Sequence, residues 1–488
     1  KRIGDVNEIP SPYLTEFMDP FFKKPLIPLF ETTRGCPFLC TFCYSGHDSQ
    51  SRVTSFKAET IANTLEYIGT RVQDCDELSC ADLNFGMYPA DIQTAQVIGE
   101  LQKDKGYPKI FSAYAGKNKP ERVMEAAQLL NGSWGMGAAF QSADPEILKA
   151  IKRTNISQKK LVDYVGYSHE NGSSLYFELI VGLPLDTKEK HFDTLRLGLE
   201  AGVNDFKIYQ LTLLLGTEIA NLESRAKYGY VTRWRIMPRC FGKYMILGKE
   251  FGVAEKEEIV EGHNTMPVED LHDCRLMDFL MEVFINSGWF EEVMILIRKF
   301  DFSTFDFIVF IKAHPEFFFG EMDHIIEKYK KLGQTDLFET DEKIEAFISS
   351  PGIIDQHLKG ERGLNELNIC KALSYKNLED VFQTLYQGAI EFFKFNEICT
   401  EEMESYLLEL KRFSYLRKFG FDNMDQEIHE SFHYDFKDIH AKKYDVNPSQ
   451  LNRSDTYFLK FYHEKDQASQ LKKLLKIHGD SLSGLGKL

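Results

Sequence analysis

Residues 33–44 read Thr-Arg-Gly-Cys-Pro-Phe-Leu-Cys-Thr-Phe-Cys-Tyr and place Cys36, Cys40 and Cys43 within one short stretch. An apolar run of strand length at 25–30 precedes it, so the cysteines follow a predicted strand. A cubic 4Fe-4S cluster takes one ligand per iron, and thiolates usually hold it. Three cysteines leave one iron open to a ligand that the protein does not supply. The stretch therefore predicts a site for chemistry and not only an electron store.

Two other interpretations of these cysteines stay open from the residues alone. Positions i, i+4 and i+7 share one face of a helix, and free cysteine is often a small buried hydrophobe. Gly35 and Pro37 flank the first cysteine and disfavour a regular helix, so a loop is the better prediction. His47 would also complete a zinc site with the three cysteines, since structural zinc takes four nitrogen or sulfur ligands.

The length and charge of the chain restrict its class. At 488 residues the chain exceeds a typical single core, so two or more domains are expected. A net charge of -16 argues against a phosphate backbone as the main ligand. No apolar run approaches the roughly 20 residues of a membrane span, and no secretory leader is recognisable. Nine scattered cysteines suit a reducing compartment, so we expect a cytoplasmic protein with neither nucleic-acid nor membrane partners.

Apolar runs of strand length alternate with amphipathic stretches after the cysteines. The predicted strands are 25–30, 78–85, 109–114, 135–141, 174–183 and 206–214. The predicted helices between them are 57–72, 91–103, 121–130, 157–170 and 188–201. Six strands separated by helices demand a parallel sheet covered by helices. The predicted fold class is α/β, a partial (β/α)6 TIM-like barrel, followed by a mostly helical C-terminal region.

The composition changes past about Gly252, where Phe, Tyr, Glu and Lys become frequent. Helical periodicity is visible at 271–285, 321–331, 378–393 and 401–413. A turn signal at 349–352 suggests a boundary within this region. The predicted domains are an N-terminal linker at 1–24, the barrel at 25–250, a helical extension at 251–350 and a helical C-terminal domain at 351–488.

The cysteine pattern resembles the signature of the radical S-adenosylmethionine (radical SAM) enzymes, Cys-x-x-x-Cys-x-aromatic-Cys just after a first strand. Residues 9–14, Ile-Pro-Ser-Pro-Tyr-Leu, and 81–87, Ala-Asp-Leu-Asn-Phe-Gly-Met, resemble the cobalamin-associated branch. The resemblance implies a 4Fe-4S cluster on Cys36, Cys40 and Cys43. It also implies S-adenosylmethionine chelating the open iron and splitting, after one-electron reduction, to a 5'-deoxyadenosyl radical.

The resemblance also implies roles for residues around the cysteines. Phe42 would lie by the adenine and shield the cluster, although an ordinary core aromatic is the alternative. Asp82, Asn84 and Gly86 occupy the place where relatives hold the methionine amino group. The chain departs there from the common Gly-Gly-Glu form. Asp82 and Asn84 stand at alternate positions of one strand face and offer oxygen atoms to an ammonium. They could equally be polar residues that end a strand.

Three further strand ends carry candidate residues, as the carboxyl ends of barrel strands usually do. Gln141, Ser142 and Arg153 resemble groups that meet the ribose and the methionine carboxylate, and arginine binds carboxylate bidentately. Glu178 would accept a ribose hydroxyl, because an unpaired buried carboxylate is costly. A surface ion pair for Arg153 and a structural one for Glu178 are the alternatives. Gln210 and Leu211 stand at the end of the last strand.

The predicted function is a radical SAM enzyme acting on a small or carbohydrate-like metabolite, by methyl transfer when cobalamin is present. Asp270-x-His272 and Asp438-x-His440 lack the glycine of the cobalamin motif, so cobalamin would come through a domain outside this chain. A reducing partner such as flavodoxin or ferredoxin is implied. The alternatives are cobalamin-independent rearrangement, epimerisation or dehydrogenation, and a non-catalytic iron-sulfur or zinc scaffold that binds a partner protein.

Overall fold

The computed structural model describes residues 3–171, 175–286, 288–418, 426–451, 453, 456–479 and 481–486. The chain divides into two compact units. The first comprises the residues up to Val231 together with Val260–Val268. The second comprises Thr232–Ile259 and the residues from Glu269 onward.

Among its described residues, the first unit contains six parallel strands and a small two-stranded pair. Its strands are β1 (Leu29–Phe30), β2 (Thr33–Arg34), β3 (Thr54–Ser55), β4 (Glu77–Cys80), β5 (Ile110–Ser112), β6 (Met136–Gln141), β7 (Leu175–Val181) and β8 (Phe206–Gln210). The orders β1-β4-β5 and β6-β7-β8 form two parallel three-stranded sheets. A parallel bridge between Phe111 and Trp134 links the segment before β6 to β5. The prediction of an α/β fold with parallel strands is confirmed.

Helices separate the parallel strands of this unit. They are α1 (Ala58–Arg71), α2 (Pro89–Lys105), α3 (Pro120–Leu129), α4 (Pro145–Ala150), α5 (Gln158–Asn171), α6 (Lys188–Glu200) and α7 (Leu222–Tyr228). The sequence did not predict α4, although its start signal is readable. Asp144 accepts the backbone N–H groups of Glu146 and Ile147, both at 2.9 Å, and Pro145 occupies the first turn.

Several strands are shorter than predicted because the chain leaves the sheet to build loops at their carboxyl ends. The stretch 25–30 contributes two residues to β1, and 206–214 ends as a strand at Gln210. The predicted start of β7 at Ser174 lies outside the described residues. Along β7, Leu175, Phe177 and Val181 are buried whereas Glu178 is only partly buried. That alternation puts Glu178 on the opposite face of the strand from the packed core.

The sequence did not predict a long β-hairpin, most of which belongs to the second unit. Strands β9 (Val231–Ile246) and β10 (Lys249–Gly262) pair with each other. Leu247 and Gly248 connect them with φ angles of 50° and 77°, as expected of a two-residue hairpin turn. The predicted domain boundary at 250/251 falls inside β10.

The rest of the second unit is mostly helical, as predicted. Its helices are α8 (Val268–Met281), α9 (Glu291–Lys299), α10 (Thr304–Ala313), α11 (Glu321–Leu332), α12 (Asp341–Ile348), α13 (Ile353–Leu358), α14 (Glu366–Lys376), α15 (Leu378–Phe395), α16 (Glu401–Leu416), α17 (Phe436–Ala441), α18 (Lys465–His478) and α19 (Leu482–Leu485). An antiparallel pair, β11 (Ile428–Phe432) and β12 (Tyr457–Phe461), completes it. The predicted boundary at 350/351 lies between α12 and α13 and within this unit. Across the described ranges, no helix is long and apolar enough to cross a membrane.

Candidate functional site

The three cysteines lie in a loop between β2 and β3, which confirms the loop prediction. Cys36 N–H donates to the Gln50 carbonyl at 2.9 Å, and Cys43 N–H donates to the Cys40 carbonyl at 3.1 Å. Gly46 packs so closely on the Cys40 carbonyl that a Cβ there would come within 2.1 Å of its oxygen. The loop is therefore wound tightly around its own cysteines, and glycine is required where the backbone segments meet.

The loop is also fastened to the barrel on both sides of Thr41. Thr41 N–H donates to the Ile151 carbonyl at 3.2 Å, and the Thr41 carbonyl accepts Ile219 N–H at 3.0 Å. Phe42 packs against an apolar cluster that includes Leu211. Cys36 and Cys40 are buried, Cys43 is partly buried, and all three thiols are free. Three thiols are thus presented together from a loop of fixed position.

Side chains from three other strand ends reach the cysteine sulfurs. Asn84, after β4, places its Nδ2 3.4 Å from Cys36 Sγ. Lys117, after β5, places its Nζ 3.9 Å from the same sulfur. Arg153, which follows β6 and α4, places Nη1 3.9 Å from Cys40 Sγ. The carboxyl ends of parallel strands therefore converge on the cysteine loop, as they do on active sites of strand-helix barrels.

Asp82 binds the segment that leads into the cysteine loop. Its carboxylate accepts the backbone N–H groups of Thr32 and Thr33 at 2.7 and 3.1 Å. It also accepts the hydroxyl of Thr33 at 2.9 Å and that of Thr32. Four donors from within the chain therefore occupy this buried carboxylate. In the structure, Asp82 therefore positions the cysteine loop. The predicted contact of Asp82 with the amino group of a ligand stays a prediction.

Asn84 and Gly86 form the turn that follows Asp82. Asn84 is buried, and its Oδ1 has no hydrogen-bond partner among the described residues. Gly86 has a φ of 83°, and a Cβ there would come within 3.0 Å of Val123 Cα. Gly86 thus allows the turn to pack against α3. The orphaned Asn84 oxygen is the atom in this turn best placed to accept a ligand's N–H group.

Tyr88 and Asp91 stand at the start of α2, next to this turn. Burial raises the pKa of Tyr88 to about 12, and the negative charge of Cys36 adds to the rise. The Tyr88 hydroxyl has no hydrogen-bond partner within the described ranges. Burial likewise raises the pKa of Asp91 to about 6, although its carboxylate accepts the Tyr88 N–H at 2.8 Å.

The end of β6 carries Gln141, Ser142 and Arg153. The β6–β7 register shifts between Ala139 and Gln141, and Gln141 has a φ of 65°. Such a bulge re-aims side chains at a strand end. Ser142 accepts the Asp144 N–H at 3.2 Å through its hydroxyl. The two residues are buried beside the site, and their predicted contacts with a ribose stay predictions.

The guanidinium of Arg153 is engaged on all three of its nitrogens. Nε donates to Asn155 Oδ1 at 3.0 Å, Nη2 donates to the Ala139 carbonyl, and Nη1 faces Cys40 Sγ. Burial lowers the pKa of Arg153, and the Cys40 thiol opposes that shift. The side chain therefore braces β6 against the cysteine loop, and its predicted bidentate contact with a carboxylate is untested.

Two cations of the site act on the ionisation of Glu178. Burial raises the pKa of the Glu178 carboxyl, and the charges of Arg153 and Lys117 act against the rise. Tyr176 on the same strand face and Tyr209 on β8 both have their pKa raised by burial and by the Glu178 charge. The carboxyl of Glu178 is thus electrostatically linked to two cations and to two phenols.

Gln210 and Leu211 end β8. Gln210 Nε2 donates to the Val260 carbonyl at 2.8 Å and to Glu261 Oε1 at 3.0 Å. Gln210 Oε1 is buried and has no hydrogen-bond partner in the described part of the chain. Leu211 is a core residue, and its backbone groups bond Val181 and Val260.

The residues suit a cluster and S-adenosylmethionine on two grounds. The donor set consists of three thiols, the ligands that iron-sulfur clusters prefer. Within the described residues, buried oxygens without a hydrogen-bond partner occur in the cysteine loop and at neighbouring strand ends, and such atoms are normally satisfied by a bound molecule or water. They are Thr41 Oγ1, Asn84 Oδ1, the Tyr88 hydroxyl and Gln210 Oε1.

The zinc alternative has less in its favour. His47 is exposed, and its Nδ1 bonds the Ser49 hydroxyl at 2.8 Å. Over the described ranges, no group of three His, Cys, Asp or Glu side chains is placed to hold a single metal ion.

Sequence reasoning missed Lys117 and Tyr88. Lys117 follows a predicted strand by three positions, which is the one signal that was available. Lys117 would have been a candidate if each Lys or Arg shortly after a predicted strand had been considered.

Comparison with known proteins agrees with this geometry. Residues 30–198 match the profile of the Radical SAM superfamily. The chain therefore contains a radical SAM domain that includes the cysteine loop and runs from β1 to α6. Radical SAM enzymes use a 4Fe-4S cluster and S-adenosylmethionine, so the predicted resemblance and the predicted cofactor class are confirmed.

Two curated relatives are named as methyltransferases. The chain is 30% identical over 301 residues to a 2-(S-pantetheinyl)-carbapenam-3-carboxylate methyltransferase of Streptantibioticus cattleyicolor, covering 59% of the chain and 42% of the relative. It is 27% identical over 340 residues to the cobalamin-dependent radical SAM methyltransferase TokK of Streptomyces tokunonensis, covering 67% of the chain and 48% of TokK. The matches thus span less than half the length of either relative.

A solved structure gives a weaker likeness. The radical S-adenosylmethionine methyltransferase TsrM of Kitasatospora setae has 14% identity and a TM-score of 0.37, over 46% of this chain and 43% of TsrM. A TM-score of this size supports no conclusion about fold or function.

Proposed function

We propose that the protein is a radical SAM methyltransferase that acts on a small or carbohydrate-like metabolite and uses cobalamin. The observation that carries the enzymatic part is the loop of three cysteines at which Asn84, Lys117 and Arg153 meet the thiol sulfurs. The methyltransferase part rests on the names of the two relatives, both of which are methyltransferases.

Cys36, Cys40 and Cys43 would hold the cluster in this proposal. When bound, the cluster supplies the electron that splits the sulfonium of S-adenosylmethionine to a 5'-deoxyadenosyl radical. Asn84 Oδ1, buried and without a partner among the described residues, would accept an N–H of the methionine ammonium. Gln210 Oε1 and Glu178 would accept ribose hydroxyls, and Lys117 and Arg153 would offset negative charge.

Other side chains would orient these groups. Asp82 fixes the segment ahead of the loop through Thr32 and Thr33, so the thiols are presented in one position. Phe42, packed on the apolar cluster with Leu211, would exclude water from one side. Gly86, Gln141 and Ser142 shape the backbone on which the ligand would rest.

The proposal also covers the source of cobalamin, the electron donor, the compartment and the domain ranges. Cobalamin would be supplied by a cobalamin-binding domain, as in the branch that the sequence resembles. A flavodoxin or ferredoxin would deliver the electron, and a reducing cytoplasm would protect the cluster. The barrel would extend over 25–250, with the linker 1–24 before it and helical regions at 251–350 and 351–488.

An anaerobic reconstitution tests the proposal. The protein is loaded with iron and sulfide, reduced with dithionite and given S-adenosylmethionine carrying a labelled methyl group, with and without added cobalamin. We expect about four irons and four sulfides per chain and formation of 5'-deoxyadenosine. Stoichiometric zinc without sulfide would refute the cluster. Product formation that never transfers the label, across candidate substrates with cobalamin present, would favour cobalamin-independent hydrogen abstraction.

A further inference from the structure

Two side-chain donors lie near the sulfur of Cys36, and one lies near the sulfur of Cys40. Asn84 Nδ2 and Lys117 Nζ lie 3.4 and 3.9 Å from Cys36 Sγ, and Arg153 Nη1 lies 3.9 Å from Cys40 Sγ. Two of these donors carry a full positive charge. Cys36 and Cys40 are each only 2% exposed, so water screens these contacts weakly.

Positive charge next to the cysteine sulfurs changes the reduction potential of a bound cluster in one direction. Reduction adds one electron, and therefore one negative charge, to the cluster and its thiolates. Hydrogen bonds to the ligand sulfurs and nearby positive charge stabilise the reduced form more than the oxidised form, and so raise the reduction potential.

We propose that Lys117, aided by Asn84 and Arg153, raises the reduction potential of the cluster by donating to the thiolates of Cys36 and Cys40. Lys117 is thus a positioning residue that acts through the cluster ligands. This inference rests on the proposed function, because it requires that the cysteines hold a cluster. It assigns to Lys117 an effect that is present before any S-adenosylmethionine binds.

Lys117 is the donor on which the effect can be isolated. Arg153 also bonds Asn155 and the Ala139 carbonyl, so its loss would disturb β6 as well as the charge. The Lys117 ammonium, by contrast, lies 3.9 Å from Cys36 Sγ and 5.2 Å from the centre of the Phe38 ring. Methionine retains the length and the apolar stem of lysine while removing its charge and its donors.

Glu178 provides a test of the opposite sign. The charges of Arg153 and Lys117 lower the pKa of its carboxyl, against the effect of burial. An ionised Glu178 therefore weakens the positive field at the thiolates. Replacing it by glutamine removes the negative charge at nearly constant shape and should raise the potential.

The experiment is a redox titration of reconstituted, iron-quantified protein, followed by electron paramagnetic resonance without S-adenosylmethionine. Lys117→Met should shift the midpoint potential downward, and Lys117→Arg should restore most of the wild-type value. Lys103→Met is the matched control, since Lys103 is an exposed lysine on α2 and its loss removes the same charge. Its potential should equal that of wild type.

The outcomes separate this inference from the proposed function. The inference is wrong if iron-loaded Lys117→Met has the wild-type potential. It is also wrong if that variant has the wild-type potential and differs only by a weaker response to S-adenosylmethionine. If Lys117→Met fails to hold iron, Glu178→Gln decides: an upward shift supports the inference and an unchanged potential overturns it. If wild type titrates as described but forms no 5'-deoxyadenosine, the proposed function fails while the potentials remain measurable.

Discussion

Buried charges are used differently in the two units of the molecule. In the second unit, the Glu292 carboxylate accepts the Lys418 ammonium at 2.7 and 2.9 Å, and Arg417 Nη1 lies 3.4 Å away. In the first unit, Lys117 and Arg153 approach cysteine sulfurs instead. Charges that neutralise each other serve the fold, whereas charges directed at free thiols are available to a bound group.

The two units also differ in how their buried groups are partnered. The second unit buries stacked and tilted aromatic rings, such as Phe413 on Phe436 at 4.6 Å and Phe290 near Phe382 at 4.7 Å. In such contacts each ring packs against another ring of the protein and needs no other partner. The first unit leaves buried oxygens such as Asn84 Oδ1 without a partner in the described ranges. Most of the buried polar atoms without a partner in the described ranges belong to the first unit, whereas Asp341 Oδ1 and His357 Nε2 belong to the second.

The largest expected effect is the loss of the metal from the first unit. Alanine at Cys36, Cys40 or Cys43 should remove most of the iron, because each thiolate is expected to bind its own iron. Cys370→Ala, at a buried free cysteine of the second unit, should keep the wild-type iron content. Iron and sulfide analysis after anaerobic reconstitution measures both. Equal iron loss in the Cys370 variant would show that the two regions do not differ as described.

The second prediction concerns the ion pairs of the second unit. Glu292→Ala removes the buried carboxylate that pairs with the partly buried ammonium of Lys418, and breaking a buried pair costs about 3–5 kcal/mol. We expect this loss in the free energy of unfolding of the second unit, measured by denaturant titration, with iron content unchanged. Glu339→Ala, which removes an exposed partner of Lys343, should alter stability little. A drop in iron content in the Glu292 variant would contradict the separation of roles.

The sequence predicted the alternation of strands and helices well but not the hairpin of β9 and β10. Apolar runs flanked by amphipathic stretches have the periodicity of a covered parallel sheet. β10 instead contains the run 255–258, Glu-Lys-Glu-Glu, which lacks the hydrophobic alternation of a half-buried strand. Pairing along the hairpin outweighs that local preference.

The candidate site was predictable where its parts are neighbours in sequence. The three cysteines lie within eight residues and were recognised from their spacing. Lys117 lies 81 residues from Cys36, and Asp82 lies 50 residues from Thr32. Only the folded barrel brings such pairs together, so one sequence gives no signal for the contact itself.

The third prediction is a pH dependence in the first unit. Burial raises the pKa of Asp91 from 3.8 to about 6, so the folded unit favours the protonated carboxyl. Its stabilising contribution is full below about pH 4 and is lost as the pH rises through about 6. Unfolding free energies of wild type should therefore fall relative to Asp91→Asn by up to about 3 kcal/mol across that window. The exposed Asp104→Asn should follow wild type, and parallel curves for Asp91→Asn would contradict the prediction.

The smallest expected effect is at Asp82 and decides whether this residue positions the loop or binds a ligand. Asp82→Asn replaces one acceptor oxygen by a donor amide that faces the threonine donors. Loosening a residue that orients a metal ligand typically costs about 10–100-fold in metal affinity. Iron release to a chelator should therefore be faster than in wild type, without S-adenosylmethionine. Asn84→Ala offers the contrast, since its orphaned oxygen is assigned to the ligand and its loss should weaken the spectroscopic response to S-adenosylmethionine more than iron retention. If Asp82→Asn retains iron like wild type but loses that response, Asp82 holds the ligand and the positioning role is wrong.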